Sequence, residues 1–212
     1  MSTEAGLPTT GTNGLVFNEK DHTYTYNGAG VPSVTTLIGI MHPDVYKGIP
    51  KRILERKAAY GDRVHELVEN AAMGIIPGMW SEMSFERLAF NRYMELQEEH
   101  QIKVASCEQL VCYVEDGMPI YAGKYDMLGT VEGKRAIIDI KTTAKLHTDM
   151  LAEQLPLYAW AIENMTHGLE IEKAYCLWLP KRERGNLIEI EIPEKKLLMS
   201  RVMKAYEKYW ER

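Results

Sequence analysis

At 212 residues and 24.3 kDa, the chain is long enough to bury a substantial core unaided. Its 45% hydrophobic and 26% charged residues exclude disordered, collagen-like and membrane classes, and no window approaches the roughly 18 consecutive apolar residues of a membrane span. A formal net charge of −5 argues against a uniformly basic nucleic-acid binder, but net charge governs solubility and steering, so local charge must decide.

Residues 1–14, rich in Thr and Gly and without periodicity, are expected to be a mobile tail before a single domain over 15–212. Leu15 to Phe17, Thr23 to Tyr26 and Val31 to Leu37 are aromatic and β-branched runs around the turn signal Asn27-Gly28, so an N-terminal β-hairpin element is expected. From Lys51 to about Met73 the apolar spacing is helical, with Val64, Val68 and Ala71 on one face, His65 beside it, and Gly74 and Pro77 as stops. A second helix follows Ser81. Its stripe is Phe85, Leu88, Ala89, Arg92 and Leu96, and Ser81 or Ser84 caps it.

Extended runs then cover Cys107 to Val114, Ile120 to Leu128 and Arg135 to Lys141, separated by Asp116-Gly117 and Glu132-Gly133 as in a three-stranded meander. A helix over roughly Ala152 to Met165 follows. Pro156 costs such a helix a hydrogen bond and a clash, so it either starts near Ala152 or kinks. A strand Lys173 to Leu179, a strand Leu187 to Ile192 and a terminal helix from Glu194 complete the chain. The fold class is α/β, a mixed central sheet flanked by helices in the order αβββαβ.

The chemistry lies in the meander. If Glu132-Gly133 is a two-residue loop, Val131 pairs with Lys134 and Asp126 lies opposite Asp139. Opposed carboxylates share one face and repel, so a cation should compensate. Lys141 points to the face of Asp139 while Ile140 points away. Two carboxylates and the Ile140 carbonyl make a hard oxygen site for magnesium or manganese. The rival is a solvated hairpin, although strands as apolar as Ala136-Ile137-Ile138 are normally buried on both faces. Three cysteines without CxxC spacing build neither a disulfide framework nor a zinc site and fit a reducing cytoplasm.

Four ordered segments carry a resemblance: Gly61-Asp62-Arg63-Val64-His65-Glu66-Leu67, Gly123-Lys124-Tyr125-Asp126, Ile138-Asp139-Ile140-Lys141-Thr142-Thr143 and Gln154-Leu155-Pro156-Leu157-Tyr158. They resemble the motifs of RecB-like nucleases in the PD-(D/E)XK superfamily. Pro32-Ser33-Val34-Thr35-Thr36 also resembles a segment of phage-encoded and mitochondrial genome-maintenance exonucleases of that type. The resemblance implies a restriction-endonuclease-like core and a DNA exonuclease of phage or bacterial recombination, repair or replication, with a recombination or replication protein as a partner. In it Asp126, Asp139 and the Ile140 carbonyl bind Mg2+ or Mn2+, Lys141 is the catalytic lysine, and His65 adds a ligand. Gln154 and Tyr158, sharing one helix face, are placed to touch the attacking water, Lys141 or a phosphate. Glu108 stands where the family often carries a glutamate, with a solvated strand-edge charge as the other reading. Several relatives hold a four-cysteine iron-sulfur cluster, which three scattered cysteines cannot build.

DNA is expected along the helix after Lys51, where Lys47, Lys51, Arg52, Arg56, Lys57 and Arg63 outnumber Glu55 and Asp62. Arg52, Arg56 and Arg63 fall at spacings of four and seven on one face, and the helix continues to His65. Lys181, Arg182 and Arg184 are the alternative path. Two other functions compete with the exonuclease: a catalytically silent DNA-binding or assembly subunit, and a structure-specific endonuclease or ribonuclease of the same fold.

Overall fold

Three turns set the strand pairing. At Asn27-Gly28, Asp116-Gly117 and Glu132-Gly133 both central residues have positive φ, about 50° and then 78–82°. That is the type I′ geometry whose twist suits a two-residue hairpin. The computed structural model describes residues 14–45, 47–75, 84–166 and 168–211. The expected tail at 1–13, the Ser81 cap and the Pro77 stop lie outside these residues. Gly14 does not belong to a tail, because its carbonyl accepts from Asn27 N–H at 2.8 Å.

The first turn builds a small antiparallel sheet of β1 (Leu15–Asn18), β2 (Thr23–Tyr26) and β3 (Ala29–Val31). The second and third build β4 (Lys103–Glu115), β5 (Met118–Val131) and β6 (Lys134–Lys141). β6 then pairs in parallel with β7 (Lys173–Trp178), and β7 pairs antiparallel with β8 (Asn186–Ile190), giving a mixed sheet in the order β4-β5-β6-β7-β8. This is the α/β core that the order of elements predicts.

Helices cover both faces. α2 (Lys51–Ala72) and α3 (Phe85–Glu99) bury Val64, Val68, Tyr93 and Leu96 against Met127, Ile138 and Ile140. On the other face α1 (Val34–Met41), α4 (Thr148–Thr166) and α5 (Lys195–Trp210) pack on Tyr121, Tyr125, Leu128, Ile137 and Cys176. The small sheet covers Cys112 and Ala122 at the far end of the central one. No helix among the described residues is long and apolar enough to cross a membrane.

Three expectations change. Val34 to Leu37 is not extended but opens α1: Ser33 Oγ accepts from Thr36 N–H at 3.0 Å, and Val34, Leu37 and Ile38 fall on one buried helical face. On α3 the buried stripe is Ala89, Tyr93 and Leu96, while Phe85 and Leu88 are 40% and 55% exposed. Arg92 lies beside that stripe because its Nε donates to the Gly185 carbonyl at 2.8 Å. α4 starts at Thr148 and runs through Pro156. Leu155, Leu157 and Ile162 are fully buried there. At about 1.5–3 kcal/mol each, they offset the roughly 3 kcal/mol cost of an interior proline.

The helices on the α4 side are tied by a buried carboxylate. Glu153 accepts from His42 Nε2 at 2.7 Å and pairs with Arg201, which joins α1, α4 and α5. Glu153→Ala removes the one carboxylate shared by His42 and the half-exposed Arg201 and should cost about 1–3 kcal/mol in urea unfolding. Asp149, 64% exposed and 3.7 Å from His42, should cost under about 1 kcal/mol when changed to Ala. Equal losses would show that burial is not what makes the clamp matter.

Candidate metal centre

Strand alternation breaks at Asp126. The β5–β6 ladder runs from Val131↔Lys134 to Met127↔Ile138 and stops. On the other side Cys107 pairs with Met127 and Gln109 with Tyr125, so Asp126 and Glu108 face each other outside the ladder. Glu108 takes φ 55°. Tyr125 packs on the α4 side and Met127 on the α2 side, although residues two apart in a regular strand share a face.

The register drawn from Glu132-Gly133 therefore holds up to Met127, but Asp126 and Asp139 are not a directly opposed ladder pair. Instead Asp126 Oδ2 accepts the Ile140 N–H at 2.7 Å. A side-chain carboxylate stands where a strand carbonyl would be. This turns Asp126 toward α2 while Asp139, level with Cys176 on β7, faces α4.

Two groups meet across that opening. From α2, His65 Nδ1 lies 3.6 Å from Asp126 Oδ2 and 3.8 Å from Glu69 Oε1. One ligand atom from each of His65, Glu69 and Asp126 falls within 4.8 Å of the others. From β6 and α4, Asp139 is 4% exposed, pairs with Lys141 Nζ at 2.5 Å and accepts from Gln154 Nε2 at 3.0 Å. The strand end is pinned too: Leu179 N–H donates to the Lys141 carbonyl and Trp178 Nε1 to the Thr143 carbonyl, both at 2.7 Å.

The electrostatics are those of a crowded acidic pocket. Burial pushes Glu69 up, Asp126 adds to the rise, and His65 and Lys124 oppose it. Burial also raises Asp139; Lys141 pulls it back and Asp126 adds to the rise. For Lys141 burial acts downward, but Asp139 and Asp126 outweigh it and hold the ammonium above its usual range. Tyr158 is raised by burial and then by both aspartates.

A hard divalent cation fits this set. Glu69 Oε1 is buried with no hydrogen-bond donor and only His65 Nδ1 at 3.8 Å, and Asp139 Oδ2 is met only by Lys141. Such oxygens are costly when left bare. One imidazole with carboxylate oxygens suits a divalent cation.

Glu69 is absent from the sequence reading, yet its i,i+4 spacing from His65 puts both on one helical face. Tyr158 rests on β5 where a Cβ on Gly123 would approach its Cε1 to 2.5 Å, which explains the glycine of the G-x-x-D segment. Among the described residues the ligand group includes neither Glu108, which is paired with Lys124, nor Asp139, which is paired with Lys141. The Arg52 and Arg56 side of α2 does not share the face that carries His65 and Glu69. Arg56 and His65 are nine residues apart, about two and a half turns, and so project from opposite sides. Arg63 donates through Nε and Nη2 to Glu86 of α3 at 3.0 and 2.9 Å, and Lys51 pairs with Glu55 at 3.6 Å. Lys181 lies on the same α3 side, 4.3 Å from the Phe85 ring.

Fold and centre together define one class of protein, the nucleases that set acidic residues and a lysine on adjoining strands. A family profile described as the PD-(D/E)XK nuclease superfamily matches residues 44–209, and the chain belongs to that superfamily. No curated protein matches it. Among solved structures, the crystal structure of SSO0001 is similar at TM-score 0.43 and 18% identity, over 84% of this chain and 76% of that one.

His65→Ala and Glu69→Gln should each weaken Mn2+ binding about tenfold or more in a calorimetric titration. Glu108→Gln should stay within about twofold, since the Lys124 pair it breaks is part-exposed and outside the ligand group. Unchanged affinity for Glu69→Gln would remove α2's carboxylate from the centre.

Proposed function

We propose that the chain is a metal-dependent deoxyribonuclease of the RecB-like exonuclease type, working with Mg2+ or Mn2+ in phage or bacterial recombination, repair or replication. One observation carries the hydrolytic assignment: Asp126, fixed by the Ile140 amide, joins His65 and Glu69 on one side to Asp139 and Lys141 on the other. The setting, and a recombination or replication protein as partner, rest on the ordered motifs.

His65, Glu69 and Asp126 would hold the cation, with Asp139 and the Ile140 carbonyl beside them. Such an ion supplies Lewis acidity toward water and a phosphate oxygen. Lys141, kept charged by its aspartates, meets the negative charge that builds on the phosphate as water attacks. Gln154 fixes Asp139 through Nε2. Tyr158 keeps its proton through the neutral range, so it serves as a hydrogen-bond donor and not as a base. The water oxygen bonds to phosphorus, the bond to the leaving sugar oxygen breaks, and a terminal phosphate and a hydroxyl remain.

Asp126→Ala, Asp139→Ala and Lys141→Ala should each lower DNA hydrolysis by at least about 10²–10³-fold, and Asp126→Ala, which strips the Ile140 amide of its acceptor, should also cost about 1–3 kcal/mol in urea unfolding. End-labelled linear DNA should be degraded in Mg2+ or Mn2+ while covalently closed circles persist, and EDTA should stop the reaction. Circles cut as fast as linear DNA would make it an endonuclease, and cleavage in excess EDTA would reject the metal centre.

A further inference from the structure

An acidic centre that receives a polyanion needs a cation at its mouth, and the arginines of α2 stand on the far side of that helix. Lys124 is better placed. It lies two residues before Asp126 on β5, and its charge opposes the rise of the buried Glu69 carboxyl. Its side chain is 36% exposed, it pairs with Glu108, and its Nζ lies 6.0 Å from the Phe17 ring centroid.

Phe17 comes from β1. Its ring is half-buried and meets Tyr24 at 4.6 Å and the exposed His22 at 5.8 Å. The small sheet therefore brings a half-buried aromatic ring, an exposed imidazole and an ammonium together beside the strand that carries Asp126. The hydrolytic chemistry uses none of these groups, and β1–β3 lies before the residues that match the superfamily profile. Aromatic faces beside cations are the usual seat for unstacked bases of a single strand.

We propose that Phe17 and Lys124 seat the nucleotide next to the cleaved bond, Phe17 stacking on its base and Lys124 binding its phosphate, so that the substrate enters as a single-stranded end. The seat rests on the nuclease reading above. Lys124 leaves Glu108 to do this, at little cost, because a part-exposed ion pair is weak and easily exchanged. A base within a duplex is stacked on both faces and cannot use Phe17 until it frays.

The test uses a single-stranded oligodeoxynucleotide with 2-aminopurine near one end, bound to the full-length Asp139→Ala protein so that it is not cut. Binding should quench the fluorophore. Adding Phe17→Leu should abolish the quench and weaken binding about tenfold, whereas Phe17→Trp should keep both. Adding Lys124→Gln should lower the slope of log affinity against log salt by about 0.7. Quench and affinity unchanged in the Phe17→Leu protein, or no oligonucleotide binding at all, would overturn the seat. Mn2+-dependent hydrolysis of bis(p-nitrophenyl) phosphate by wild type reports on the centre separately. Hydrolysis without a Phe17-dependent quench sinks the seat alone; a quench without hydrolysis sinks the nuclease reading, and with it the seat's place beside a cleaved bond, and leaves only single-strand binding at Phe17.

Discussion

One backbone amide organises the centre. The Ile140 N–H points into the gap between β5 and β6 and is satisfied by a carboxylate, not by a strand carbonyl. Because a buried amide cannot stay unpaired, that bond holds Asp126 at the splayed end of the ladder. The same bond frees Asp126 from regular alternation, so one carboxyl group can serve both faces of the sheet. α2 then needs only His65 and Glu69 on one face to close the pocket from above. α4 needs only Gln154 and Tyr158 to close it from below.

Like charges gathered in this way would be unfavourable alone. Asp126, Asp139 and Glu69 are drawn together by packing of the surrounding apolar residues, Met127, Ile138 and Ile140 on one side and Tyr125, Ile137 and Cys176 on the other. Lys141 offsets part of the repulsion. Burial first, and the repulsion from Asp126 after it, push the Glu69 and Asp139 carboxyls up. The centre thus stores an electrostatic demand for positive charge that a solvated surface cluster would dissipate into water.

Much of this was legible in the sequence. Asn27-Gly28, Asp116-Gly117 and Glu132-Gly133 announce turns because only such pairs tolerate two successive positive φ angles, and the last one sets the register of β6. The Asp-x-Lys spacing follows from strand alternation alone. Other features were hidden for physical reasons. Val34-Thr35-Thr36 has β-branched residues that favour strands, and only the Ser33 cap reveals the helix. The loss of alternation at Asp126 is a property of two strands at once, visible in neither. Spacings of four and seven show that Arg52, Arg56 and Arg63 share a face, but not which face the sheet takes. Glu69 has its partner Asp126 far along the chain, so only the tertiary fold gives it meaning.

The parallel pairing of β6 with β7 has a kinetic side. β4, β5 and β6 are joined by two-residue turns, so Asp126, Asp139 and Lys141 are brought together by local contacts that form quickly. β7 reaches β6 only after α4 has been traversed, and α2 must dock across the finished sheet. Sequence separation alone favours assembly in two stages, strand carboxylates first and the helical imidazole and Glu69 later. A cation that bridges the two halves favours the docked form and disfavours every partly open one. A metal ion held there would take part in the closure of the fold as well as in its chemistry.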